Sequence, residues 1–239
     1  MGAASANVSE RAQQPPELAI STVIFALRPD SGHGGPRLWL PLVRRTRQPF
    51  RDLWALPGGP LSATESLQDA AARNLQETTG LQPSYLEQLY AFGGLDRSPA
   101  QRVVSIVYWA LVRPDEAALA RETENVRWFR ADGLEQLAFD HNLIVDYALW
   151  RLRNKVEYGS IAYDFLGPKF TLAQVREVYE AVLGRKLDPA NFRRQLRATP
   201  DIEETDEYVQ GGRHRPPRLY RYTGAAAQRN NGPLSQVAG

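Results

Sequence analysis

The periodicity of the chain changes near residues 157–159, and this change constrains the fold more than any other feature. Before it, strand-like runs alternate with helical ones. Residues 18–27 (LAISTVIFAL) and 38–44 (LWLPLVR) are β-branched or aromatic and flank the turn-rich PDSGHGGP, so they are expected to pair. Residues 64–78 have helical spacing in Leu67, Ala71 and Leu75, with Gly80 placed as a C-cap. Residues 89–92, 102–112 and 125–129 read as strands and 140–156 as a long closing helix, which gives a mixed α/β layer fold over 17–157. After the change the pattern is helical, then hairpin-like. Thr171 can cap a helix with inner face Leu172, Val175, Val178, Tyr179 and Val182, ended by Gly184. Asp188 and Pro189 start a second helix that buries Phe192 and Leu196 and turns Asn191, Arg193, Arg194 and Arg197 outward. Strand-like runs at 202–209 and 217–222 enclose the turn GGRHRP. The outline over 158–224 is a winged helix-turn-helix.

Residues 1–16 and 225–239 are small, polar and aperiodic and read as disordered tails. The 239 residues are 43% hydrophobic and 23% charged, enough to bury a core, and no apolar window approaches the ~18 residues of a membrane helix. With no signal-like start, the expected location is cytoplasmic, with no membrane partner and no glycosylation at Asn7. The absence of cysteine excludes disulfides, thiolate zinc and cysteine nucleophiles, and the three histidines, His33, His141 and His214, are too scattered for a metal motif. A hard cation on carboxylates remains open. Charge is unevenly distributed: 159–239 carry 12 basic and 9 acidic residues, with 189–199 and 208–224 free of acid and 200–207 free of base. That sorting predicts separate charged surfaces.

The most specific string is Trp54-Ala55-Leu56-Pro57-Gly58-Gly59, followed by Glu65, Arg73, Leu75, Glu77, Gly80 and Leu81. It resembles the Nudix box, a loop-helix-loop that in active members binds divalent metal and splits nucleoside diphosphates linked to another group. In the working motif three carboxylates lie at i, i+3 and i+4 of one helix and hold hard cations that activate water. The corresponding residues here are Asn74, Glu77 and Thr78. Neutral oxygens do not offset the dehydration of Mg²⁺ as carboxylates do. The expectation is a hydrolase scaffold with little or no hydrolysis, no catalytic residues and no dedicated metal site. Glu65 and Arg73 read as an ion network holding the loop, and Glu77 as either part of it or a ligand contact.

Gly58 and Gly59 would let the backbone approach a phosphate. Arg44, Arg45, Arg47 and Arg51 crowd the segment before Trp54. Phe50 and Trp54 could stack on a base while an arginine grips a phosphate, or Trp54 could belong to the core. Arg97 and Arg102 form a second cluster, and His141 opens the long helix as a capping or packing residue. The expected ligand contacts are thus Arg45, Arg47, Phe50, Trp54, Gly58, Gly59, Glu77, Arg97 and Arg102.

Phe170-Thr171-Leu172, Val178-Tyr179-Glu180, Leu183-Gly184-Arg185, Asn191-Phe192-Arg193-Arg194, Gly212-Arg213 and Leu219-Tyr220-Arg221 resemble the C-terminal domain of the Nudix-related transcriptional regulators of NAD metabolism, the NrtR family. Phe139-Asp140-His141 and Arg102-Val103-Val104-Ser105 are similar to that family too. The resemblance implies an N-terminal Nudix fold, with its mixed sheet packed between helices, joined to a winged helix-turn-helix. It further implies a homodimeric repressor that holds palindromic double-stranded operators near NAD synthesis or salvage genes and releases them when ADP-ribose or a related NAD-derived nucleotide binds. No cofactor beyond this effector is implied. Expected DNA contacts are Thr171, Asn191, Arg193, Arg194 and Arg197, with Arg213, His214 and Arg215 in the wing. The wing departs from the family in an extra proline and the lack of lysine. The alternatives are a Nudix pyrophosphatase acting on ADP-ribose, with an appended dimerisation domain and acids such as Asp96, Asp140 or Glu124 as ligands, and a nucleotide-sensing scaffold that contacts protein.

Overall fold

The structure, a computed structural model, describes residues 15–30, 32, 35–81, 85–120, 122–158, 160–210 and 216–224. The expected tails, apart from residues 15 and 16, and the wing residues Arg213, His214 and Arg215 lie outside the described residues.

The N-terminal half is built on β1 (Glu17–Asp30), β2 (Gly35–Arg44), β3 (Trp54–Ala55), β4 (Gly58–Pro60), β5 (Tyr85–Phe92), β6 (Val103–Val112) and β7 (Val126–Arg130), with helices α1 (Leu67–Thr79), α2 (Pro114–Ala117) and α3 (His141–Tyr158). One mixed sheet runs β3-β2-β1-β6-β5, with β4 added to β1 and β7 to β2. The expected pairing of the first two strands holds only at the hairpin end, Ala26 opposite Trp39 to Asp30 opposite Gly35. The strands then part: β1 takes β4 through Ala19–Ser21, and β2 takes β7 through Trp39–Val43. Parallel β6 covers the other edge of β1 from Glu17 to Ala26.

Alternation along β1 and β6 explains the layers. Val23, Phe25, Leu27, Val107, Trp109 and Leu111 point to one face and bury Ile144, Val145, Ala148, Leu152 and Val156 of α3; Ile24, Ala26, Ala110 and Val112 point to the other, against Leu75 and Leu81. The sheet therefore lies between helices, as expected. Strand β5 begins four residues earlier than the sequence suggests. Its inward alternation, Tyr85, Glu87, Leu89, is interrupted by a carboxylate that faces Lys155 of α3 rather than a hydrocarbon. The Gly-Gly-Pro strand β4 carries no β propensity and was not expected; a Cβ on Gly58 would stand 2.4 Å from the carbonyl oxygen of Ile20, so only glycine lets β4 lie this close to β1. Helix α1 starts after Ser66, whose side chain accepts from the Asp69 N–H, and Gly80 ends it at φ 74°.

After a short 3-10 segment (Ile161–Phe165) come α4 (Leu172–Leu183), α5 (Pro189–Arg197), β8 (Ile202–Tyr208) and β9 (Arg218–Tyr222). Thr171 and Gln174 form a reciprocal capping box on α4, Gly184 ends it at φ 70°, and Asp188 caps α5 by accepting from the Asn191 N–H at 2.7 Å. Phe170, Leu172, Val175, Phe192, Leu196 and Tyr220 make a separate core, and a bridge from Phe170 to Tyr220 joins the start of α4 to the hairpin. This is the expected winged helix-turn-helix. The two cores share α4: Val178 and Val182 are buried in the sheet's cluster with Leu27, Leu38 and Leu40.

The expected separation of charge holds on α5, whose arginines stay exposed, but not in the hairpin. In the β8–β9 hairpin Glu203 lies opposite Arg221 and pairs with it at 2.7 Å, and Glu204 pairs with Arg218. Blocks of opposite sign separated in sequence become cross-strand partners once the turn closes.

Candidate functional site

The box residues form a brace. Glu65 takes both Nε and an Nη of Arg73, at 3.0 and 2.8 Å, and also accepts from the Ser62 N–H at 2.8 Å, tying the loop after β4 onto α1. The guanidinium holds the Glu65 carboxyl below its usual range, and Glu65 in turn raises Arg73. Arg73 also reaches Asn74 Oδ1 at 3.2 Å and Glu77 at 3.3 Å. Asn74 is buried against Gly59, where a Cβ would lie 3.1 Å from its amide oxygen, whereas the Glu77 side chain remains 63% exposed. The expected Glu65–Arg73 network is therefore present, and Glu77 is attached to it while facing solvent. Among the described residues no three His, Asp or Glu side chains come together as a metal-binding group.

A second constellation lies where the loop after β2 meets the start of α3. Ala138 N–H donates to the Trp54 carbonyl at 2.8 Å, and Leu56 N–H donates to Nδ1 of buried His141 at 3.0 Å. This fixes the tautomer of His141: Nδ1 accepts, so the neutral ring carries its proton on Nε2. Burial pushes its pKa down to about 4, with Arg97 and Arg45 lowering it further and Asp140 opposing them. Phe50 and Phe139 both hold positive φ, 64° and 58°, and meet edge to face at 4.9 Å. Two non-glycine residues in the left-handed region in direct contact mark stored backbone strain of the kind found at binding sites. The Arg45 guanidinium stands 4.6 Å over the Phe139 ring while its Nε donates to the Pro49 carbonyl, and burial lowers its pKa.

Around this centre the expected ligand residues divide. Arg45 and Phe50 lie in the loop after β2, with Arg47 exposed beside them, while Trp54 belongs to β3 and Gly58 and Gly59 to β4, which follow that loop in the chain. Trp54 is half-buried, packs on the main core and meets Phe129 edge to face at 4.9 Å, so it is as much wall as surface. Arg97 is spent on Asp140, at 3.0 and 2.9 Å with only 6% of its side chain exposed, and Arg102 donates to the carbonyls of Gly93 and Gly94, both at 2.7 Å. Both arginines hold the protein's own loops. Phe139, which the sequence analysis did not single out by itself, is the ring on which Arg45 and Phe50 converge. Its only sequence signal was the Phe139-Asp140-His141 string.

Helix α5 buries only Phe192 and Leu196, leaving Asn191, Arg193, Arg194 and Arg197 exposed. Asn191 Oδ1 accepts from Arg194 at 2.7 Å, which holds that guanidinium close to the amide, and Arg197 reaches the Tyr220 hydroxyl at 3.5 Å. Thr171 is buried, and its hydroxyl and N–H are both taken by the α4 cap. Its place is to fix the helix rather than to face outward.

The arrangement of a Nudix-type sheet, a braced box helix and an outward arginine helix on one chain has a counterpart in known proteins. The NrtR DNA-binding winged helix domain is matched over residues 162–222, and the NUDIX domain over residues 18–147. The chain belongs to the NrtR family. Among members, the ADPR-responsive transcriptional repressor NtrR of Acinetobacter baylyi is 34% identical over 215 residues, which cover 87% of this chain and 82% of that protein. Shewanella oneidensis NrtR, crystallised with a 27mer DNA, is similar with a TM-score of 0.72 and 30% identity, over 86% of this chain and 93% of that one. Similarity to an ADP-ribose pyrophosphatase of Methanocaldococcus jannaschii, 34% over 111 residues, covers only 46% of this chain and 66% of that protein. No helix among the described residues is long and apolar enough to cross a membrane.

Proposed function

We propose that this protein is a transcriptional repressor of NAD synthesis or salvage genes that binds palindromic double-stranded operators as a homodimer and is controlled by ADP-ribose or a related NAD-derived nucleotide. The observation that carries the reading is α5, a helix with two buried residues and an otherwise exposed Asn-Arg-Arg-Arg face, carried on the same chain as a braced Nudix loop. Asn191 and Arg194 suit base edges, and Arg193 and Arg197 suit phosphates on either side of the major groove. Arg213, His214 and Arg215 follow the groove from the wing. The nucleotide is taken by Arg45, Arg47, Phe50 and Trp54 with the backbone at Gly58 and Gly59, and Glu77 at the rim. Arg97, Arg102, His141 and Thr171 act by positioning.

The Nudix fold implies a divalent cation, and the donor set does not fit one. Asn74 and Thr78 stand where carboxylates are needed, while Glu65 is occupied by Arg73. We therefore infer that the nucleotide is sensed and not hydrolysed, with no cofactor required. For regulation it must favour one spacing of the two α5 helices over another, since equal affinity for both states would shift nothing.

A gel-shift titration on the region upstream of the organism's own NAD-synthesis genes tests the proposal, run with ADP-ribose, with NAD and without nucleotide, with product analysis of the same tubes. The expected result is salt-sensitive binding that one nucleotide weakens while remaining intact. Absence of a specific shift, together with conversion of ADP-ribose to AMP and ribose phosphate, would overturn it in favour of an enzyme.

A further inference from the structure

Strand β8 carries a carboxylate where the alternation of the hairpin calls for hydrocarbon. Ile202 lies opposite Tyr222 and Glu204 opposite Tyr220, so these four side chains share one face. Ile202, Tyr220 and Tyr222 of that face pack into the winged-helix core. The acid in the fourth place is explained by its partners. Glu204 accepts from the Tyr220 hydroxyl at 3.3 Å and pairs with Arg218. The same hydroxyl accepts from Arg197, the last residue of α5, at 3.5 Å.

Chemistry fixes the direction of each hydrogen bond. A guanidinium only donates, an ionised carboxylate only accepts, and a phenol has a single proton. The Tyr220 proton therefore goes to Glu204, which leaves an oxygen lone pair for Arg197. Tyr220 does this from a fixed place: it is 5% exposed, and its backbone exchanges hydrogen bonds of 2.7 and 3.0 Å with Phe170 at the start of α4. Glu204 meets Arg218 directly and Arg197 through Tyr220, and at Arg197 it favours the charge that Arg218 opposes. Arg194 is held by Asn191 of its own helix, whereas Arg197 is held from the hairpin.

We propose that Tyr220 and Glu204 are positioning residues for DNA binding, which fix the Arg197 guanidinium from the hairpin so that it meets a phosphate already ordered. The inference rests on the phosphate role given to Arg197 above. Without the relay, Arg197 keeps its charge but has to be ordered when DNA binds, which weakens association about fivefold for a side chain of this kind.

Fluorescence anisotropy of the full chain tests this, in a salt series without nucleotide, on a duplex from upstream of the NAD-synthesis genes and on a scrambled duplex of the same length. Tyr220→Phe keeps the buried ring and every charge. It is expected to bind about fivefold more weakly than wild type at each salt concentration, with the slope of log K against log salt unchanged, and to add no loss when Arg197 is already alanine. A ring that only held the fold would weaken the Arg197→Ala protein as well. Circular dichroism confirms that the variants are folded. Should Tyr220→Phe fail to fold, Glu204→Ala and Glu204→Gln repeat the test as a pair matched in charge. Glutamine keeps an acceptor for the Tyr220 hydroxyl and alanine does not, so the alanine protein is expected to bind about fivefold more weakly than the glutamine protein. Folded Tyr220→Phe that binds as tightly as wild type, an equal loss with and without Arg197, or equal binding by the two Glu204 variants would overturn the proposal. A wild type that binds both duplexes alike would sink the repressor reading, while the salt series still judges the relay; a wild type with no affinity for either duplex overturns both.

Discussion

His141 is a neutral base buried under the Leu56–Gly59 turn, and replacing it with glutamine should alter how the fold responds to acid. In the folded chain its pKa is pushed from 6.5 to about 4. The depressed value means that the folded form resists protonation, so the stability it contributes is complete above about 6.5 and is lost as pH falls toward about 4. A depression of this size amounts to roughly 3 kcal/mol over the whole window, of which roughly 2 kcal/mol falls between pH 7 and pH 5. His141→Gln keeps an acceptor for the Leu56 N–H but does not titrate. Urea unfolding followed by tryptophan fluorescence at the two pH values gives the double difference, in which the carboxylates common to both proteins cancel. Wild type should lose roughly 2 kcal/mol more than the variant on acidification. Equal losses in the two proteins would refute the argument that burial holds His141 neutral. A third protein, His141→Phe, leaves the buried Leu56 N–H without a partner and should be ~1–3 kcal/mol less stable than wild type at pH 7.

On DNA, Arg193→Ala and Arg197→Ala should each weaken operator binding across all sequences and reduce the slope of log K against log salt by about 1, as measured by fluorescence anisotropy in a salt series; an unchanged slope removes them from the phosphate-binding set. Phe192→Ala removes the ring that holds α5 against Tyr179 and should cost the winged helix ~3–5 kcal/mol, abolishing DNA binding while calorimetric titration with ADP-ribose still shows a site. Gly58→Ala places a methyl group 2.4 Å from the Ile20 carbonyl, so it should detach β4 from β1 and lower nucleotide affinity along with the melting temperature. Restoring acids with Asn74→Glu and Thr78→Glu should create Mn²⁺ binding measurable by calorimetry, with the wild type expected to show none in the same titration.

Much of the fold was legible because its cores obey simple periods. The alternation in β1 and β6 and the 3.6-residue spacing of α1, α4 and α5 each survive in the structure, with Gly80, Gly184 and Asp188 marking ends where their backbone chemistry requires. What escaped was set by long-range contact. Strand β5 was hidden by Glu87, which is acceptable inside because Lys155 meets it from α3 and the Tyr85 hydroxyl donates to it. Strand β4 was hidden by Gly58, whose fitness for a strand is visible only when β1 lies beside it. The site was legible as a motif and less so as contacts. The spacing of Glu65 and Arg73 announced a pair, but nothing in the order of residues showed that Arg97 would be consumed by Asp140, 43 positions away, or that Phe139 would join Phe50 in a strained contact. The charge blocks of the hairpin read as opposed surfaces because a linear sequence does not show which residues a turn brings together.

The division of α4 between two cores bears on how such proteins can be taken apart. A helix with Leu172 and Val175 in one domain and Val178 and Val182 in the other is a common wall, not a tether. A cut in the 159–171 segment would strip two valines from the sensor's interior and leave the reader with an uncovered apolar flank, so each piece should be less stable alone than in the whole chain. Exchanging readers between family members would then require α4 to travel with the sensor and α5 with the reader, a boundary inside the helix-turn-helix itself. Sensor sequences and the first reader helix are expected to vary together, and new operator preferences to arise by changing α5 alone.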